Sequence, residues 1–212
     1  MNTIDHIGRA LHMTGRIVHG IRDDQWDNPT PCTDWTVWDV LNHTVGGLRI
    51  FTAQLTRTAA GADHDSDWLG TDAAGSYDQA AHADRVAWSD PTALDRTITI
   101  SLGALPARAA AAIHLTEIVV HGLDLAVATG QTGLIDDELC RALLALMLDL
   151  GGMEPYRQPG IFGPAVEAPR SATPHTTLMT YLGRSVAGAG TGRDSTPRLA
   201  TIESAITPIP MP

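Results

Sequence analysis

Cysteine, basic side chains and long apolar runs are all scarce in this 212-residue sequence, and each scarcity excludes something. Only Cys32 and Cys140 are present, far apart and without a second pair. Neither a disulfide framework nor a cysteine-type zinc knuckle is therefore expected, and a reducing cytoplasm suits the chain. The 14 basic side chains are outnumbered by 24 acidic ones, for a formal charge of -10. That balance argues against nucleic-acid or anionic-membrane partners, which require clustered cations, and in favour of a small-molecule partner. No apolar run approaches the roughly 20 residues of a spanning helix, and the first residues lack the basic-then-apolar pattern of a signal peptide. A cytoplasmic protein without a membrane partner is the expectation.

Against these absences stands a composition of 43% hydrophobic and 18% charged residues, enough for one substantial core. Ile4, Ile7, Leu11, Val18 and Ile21 recur at helical intervals and predict a first helix over residues 3–21. Its histidines, His6, His12 and His19, have no acidic or cysteine partner at ligand spacing. Pro29 and Pro31 then prohibit helix, Trp26 and Trp35 bracket the loop, and Asp34 or Thr36 can cap a second helix beginning near Val37. Asp39 completes a capping box with Thr36, and His43 lies on the flank of the apolar stripe Val37, Val40, Leu41, Thr44, Leu48, Leu55. The acidic, turn-rich run around Asp63, His64, Asp65 and Asp67 lacks the spacing of a calcium loop and reads as solvated surface. A third helix is expected over residues 77–88. Residues 96–102 alternate polar and apolar and read as an extended crossing or a lone strand broken by Gly103. Further helices are expected over residues 105–129, 136–150 and 176–183. Residues 1–184 then form the helical domain, and the glycine- and proline-rich residues 185–212 an irregular tail.

The fourth of these helices carries the chemistry. Glu117 and His121 stand four residues apart in an apolar, alanine-rich run, which puts both on one face, one turn apart, where a metal could bridge them. At about 100° per residue, Ile113, Glu117, His121 and Asp124 fall within roughly 80° of arc, with His114 at its edge. A carboxylate and an imidazole are costly in a buried stripe unless paired, so the two read either as metal ligands or as a hydrogen-bonded core pair.

Three segments occur together in a recognisable order: Thr30-Pro-Cys-Thr-Asp-Trp-Thr-Val-Trp-Asp-Val-Leu-Asn-His43, Glu117-Ile-Val-Val-His-Gly-Leu-Asp-Leu-Ala126, and Phe162-Gly-Pro-Ala-Val166 with Leu182-Gly-Arg184. In this the chain resembles the mycothiol-dependent maleylpyruvate isomerase-like proteins of the DinB-like metal-binding superfamily, common in actinobacteria. The resemblance implies an all-α, up-and-down four-helix bundle with short extra helices. It also implies a divalent metal, usually zinc, on His43, Glu117 and His121. One departure is Leu123, where many members carry tryptophan.

Two imidazoles and one carboxylate leave a fourth position for water or a thiolate, the arrangement of a catalytic zinc. A low-molecular-weight thiol such as mycothiol, held there as thiolate, could add to an activated double bond or displace a leaving group. Asp124 is expected to orient an imidazole or accept a proton, and His114 to line the pocket. Trp35 and Trp38 are expected to anchor packing, with Trp35 able to line the cavity mouth, and Cys32 to pack in its loop. The leading expectation is a thiol-dependent transferase or isomerase acting on a small electrophile. A thiol-independent Lewis-acid enzyme and a non-catalytic metal- or ligand-binding protein are the alternatives.

Overall fold

A computed structural model describes residues 2–64, 66–100, 103–157 and 162–185. The tail expected over residues 185–212 lies, apart from Ser185, outside the described residues. Among the described residues the helices are α1 (Thr3–Val18), α2 (Val37–Thr56), α3 (Ala73–Trp88), α4 (Ala107–Ala128), α5 (Asp137–Asp149) and α6 (Pro174–Tyr181). The all-α expectation holds, with one addition. Thr97–Ile100 (β1) does not cross alone; it pairs antiparallel with Gly103–Pro106 (β2), matching Ile98 to Leu105. Gly103 does not break the strand. At φ +104, a conformation costly for any side chain, it begins the returning strand.

Local chemistry sets each start. Asn2 accepts from the Asp5 N–H while Asp5 bonds back, closing a capping box on α1. Thr36, not Asp34, does the same with Asp39 on α2. Asp34 instead takes a left-handed φ of 68 in the preceding loop. Pro106 caps α4 rather than joining its first turn, so that helix starts two residues later than expected.

The four long helices close on one another: α1 packs on α4 and α3, and α2 packs on α3 and α4. α4 is the centre. It buries residues on every side, including Leu115, Ile118, Val119, Leu123 and Leu125, as a helix apolar all round must. By length and composition it could cross a membrane, contrary to the expectation of no such run, but its most apolar window is 78% buried by the other elements. Gly122 makes room for α1: a Cβ there would stand 2.4 Å from Thr14 Oγ1, so the Thr14 side chain, which donates to the Ile118 carbonyl, lies directly over it. α5 and α6 pack together, with contacts to α4, and bring the chain after α6 back to the lower half of that helix.

Candidate metal centre

His43 enters the site from the second turn of α2, whose phase is fixed by the Thr36 cap. Glu117 and His121 enter from α4. Glu117 Oε2 lies 3.3 Å from His43 Nε2 and 3.3 Å from His121 Nε2, and donor atoms of all three residues lie within 4.8 Å of one another. Two donors on a tetrahedral zinc at about 2.0–2.1 Å stand about 3.3–3.4 Å apart, so the residues present fit a divalent ion. Glu117 is 41% exposed at its side chain and His121 only 9%, which puts the cluster at the rim of the bundle with one side towards solvent.

The buried side of the cluster is built to orient His121. Its Nδ1 lies 3.2 Å from Asp124 Oδ2, and Asp124 accepts two hydrogen bonds from Arg184, from Nε at 2.8 Å and Nη2 at 2.9 Å. An ionised Asp124 can only accept, so Nδ1 donates to it and Nε2 is the nitrogen that faces Glu117 and would ligate an ion once its proton is displaced. Burial pushes the Asp124 carboxyl up, but the bond from His121 and the Arg184 charge outweigh it and hold it below the usual carboxylate range. Burial likewise opposes ionisation of Glu117, yet bonds to His121 and His43 keep it well below its ordinary value. For His121 burial lowers the pKa, but bonds to Asp124 and Glu117 win and raise it to about 9. Two carboxylates that favour a proton on this imidazole favour a divalent cation on the same nitrogen for the same electrostatic reason.

Trp35 holds both imidazoles. Its ring stacks on His121 at 5.8 Å and 17°, and meets His43 edge-on at 4.7 Å. The loop that carries it is tied by Thr30 Oγ1, which donates to the Trp35 carbonyl at 3.0 Å, and by the Trp35 N–H to the Cys32 carbonyl. Cys32, His121 and Asp124 also have donor atoms within 4.8 Å. That second set is already served by Arg184, and burial together with the Asp124 charge pushes the Cys32 thiol up to about 12, so it stays a neutral thiol.

The structure therefore brings together His43, Glu117, His121 and Asp124, but not His114. Expected in the pocket, His114 lies two turns back along α4, only 1% exposed, hydrogen-bonded at 2.9 Å to Asp84 of α3 and stacked on Phe51 at 4.1 Å. Phe51 stacks on its ring, and Trp88 packs beside them at 5.7 Å from His114 and 6.5 Å from Phe51. Two residues escaped sequence reasoning. Arg184 gave no signal beyond its place in the Leu-Gly-Arg motif. His64, read as part of a solvated loop, has its ring 4.4 Å from that of His43.

Residues 7–126 match the family model described as the mycothiol maleylpyruvate isomerase N-terminal domain. The chain belongs to this family. Two uncharacterized Mycobacterium tuberculosis proteins, from strains CDC 1551 / Oshkosh and ATCC 25618 / H37Rv, are each 31% identical to it over 182 residues, covering 84% of this chain and 95% of theirs. The fold matches the crystal structure of the mycothiol-dependent maleylpyruvate isomerase with a TM-score of 0.58 at 13% identity, over 88% of this chain and 90% of that one. The matched family segment ends at Ala126 and so contains all three cluster residues and Asp124, while Arg184 lies beyond it.

Proposed function

We propose that this member of the family is a cytoplasmic, metal-dependent enzyme using a mycothiol-type thiol to isomerise a small electrophile or transfer the thiol to it. The observation that carries the reading is the convergence of His43 and His121 Nε2 on one carboxylate oxygen of Glu117, each at 3.3 Å, on the solvent side of a buried orienting pair. A three-residue N/N/O set fits zinc and leaves a position for a ligand. A divalent ion there would supply Lewis acidity and favour the thiolate form of a bound thiol.

The rest is done by the protein. Asp124 and Arg184 fix the His121 tautomer, Trp35 fixes the rotamers of both imidazoles, and Glu117 supplies the negative charge at the rim. A thiolate delivered to this rim adds to an activated double bond, allows rotation about the resulting single bond, and leaves again, which is isomerisation. Where the electrophile carries a leaving group, the carbon–sulfur bond forms as that group departs, which is transfer. The family's isomerase acts with mycothiol by its printed name, and the shared fold supports the same cosubstrate here.

The test is turnover of a cis-configured, doubly activated enoyl acid by zinc-loaded protein with and without mycothiol. Conversion that needs both mycothiol and His121 is expected. Conversion indifferent to mycothiol would select the thiol-independent Lewis-acid reading, and no conversion of any electrophile tried, with zinc bound, would favour a non-catalytic role.

A further inference from the structure

The loop between α2 and α3 is held against the metal-site end of α2 by contacts that nothing in its composition announces. Asn42, the residue before His43, accepts from the Trp68 N–H at 2.8 Å and donates to the Ser66 carbonyl at 2.9 Å. The Trp68 indole donates to the His64 carbonyl at 3.1 Å, and the Arg49 guanidinium lies 5.8 Å over the Trp68 ring. One turn along α2, Gly46 makes room: a Cβ there would stand 2.7 Å from Trp68 Nε1 and 3.2 Å from the His64 carbonyl oxygen. A helix position without a side chain thus lets the loop lie directly on the backbone that presents His43.

The result is a third imidazole at the cluster. The His64 ring is half-buried and meets His43 edge-on, at 4.4 Å and 69°, much as His121 meets it from the other helix at 4.9 Å and 75°. Two imidazoles on one tetrahedral ion at about 2.0–2.1 Å have ring centres about 5 Å apart, closing to about 4.5 Å as the angle at the metal falls to 90°. The His43–His121 pair falls within that range, and the His43–His64 pair just below its short end. His64 is not among the donors already within 4.8 Å of one another, so ligation takes a short advance of the loop tip.

We propose that His64 is a fourth, exchangeable metal ligand, delivered by the α2–α3 loop to the position left by His43, Glu117 and His121. The proposal rests on the metal reading above and adds a regulation to it: an incoming thiol takes the position from a ligand that is part of the chain. On a bound ion, the bond from His64 would break as the bond from sulfur forms, with the thiol proton lost to solvent. A resting site closed in this way resists adventitious anions and opens only to a ligand that outcompetes imidazole, as thiolate does on a borderline-soft metal.

The test uses the full chain loaded with cobalt(II), without thiol. His64→Ala is expected to change the visible d–d bands and to weaken cobalt binding by roughly tenfold or more in competition with a chelator. His64→Cys is expected to gain a near-ultraviolet sulfur-to-cobalt charge-transfer band. His43→Ala, run in parallel, keeps the two readings apart. If His43→Ala binds cobalt as the parent does, the three-residue site itself is wrong. If His43→Ala loses cobalt while His64→Ala keeps the parental spectrum and affinity and His64→Cys shows no charge-transfer band, the site stands and the role of His64 is overturned.

Discussion

Two histidine–carboxylate groupings share α4, seven residues apart, and they are built to opposite ends. His114 is buried against Phe51 and Trp88, with a single carboxylate, Asp84, at 2.9 Å and both side chains essentially inaccessible. His121 has a carboxylate on each side, Glu117 at 3.3 Å and Asp124 at 3.2 Å, with Glu117 reaching solvent and an arginine behind Asp124. In the first, one hydrogen bond joins the two groups, Asp84 Oδ1 is buried without a partner, and the pair is closed to solvent. In the second, Arg184 balances Asp124, and the Glu117 carboxylate, shared by two imidazoles, faces an opening. The same residue types thus make a buried pair where the surroundings are closed and a candidate cation site where they are not.

Removing one partner tests that contrast most severely in the sealed pair. His114→Ala leaves Asp84 buried without its counter-group and is expected to cost about 3–5 kcal/mol in denaturant unfolding, with metal content unchanged. Arg184→Met comes next. It removes the bidentate partner of Asp124, loosening the orientation of His121, and is expected to weaken metal binding about 10–100-fold, measured by chelator competition. Thr36→Ala removes the α2 cap that sets the phase of His43 and should cost about 1 kcal/mol in the same unfolding assay. His19→Ala supplies the far end of the series. Its carboxylate partner, Asp78, is 3.0 Å away, but both side chains are 55% exposed, and the loss should be undetectable in stability and metal content alike. A large destabilisation from His19→Ala, or metal loss from His114→Ala, would break the comparison.

What could be read from the sequence was what is local. The Thr36–Asp39 capping box, the helical phase that aligns Glu117, His121 and Asp124, and the His43 motif all lie within single segments, and the structure brings those residues together as the phase requires. His114 shows the limit of phase. Seven residues from His121 it shares nearly the same face, yet what that face meets there is Asp84, on a helix whose approach no periodicity encodes. Arg184 reaches Asp124 across 60 residues of sequence. His64 reaches His43 only because Gly46 and Trp68 allow the loop to lie flat, a steric matter between distant positions. The hairpin was missed for a different reason: Gly103 carries the signal of a chain break, and Gly-Ala-Leu-Pro has no alternation to mark it as a strand.

The most direct test of this account is the metal content of purified protein for the parent, Glu117→Gln, His43→Ala and His114→Ala. The open cluster predicts one divalent ion per chain in the parent and in folded His114→Ala, and essentially none in Glu117→Gln or His43→Ala. Equal metal in all four would contradict it.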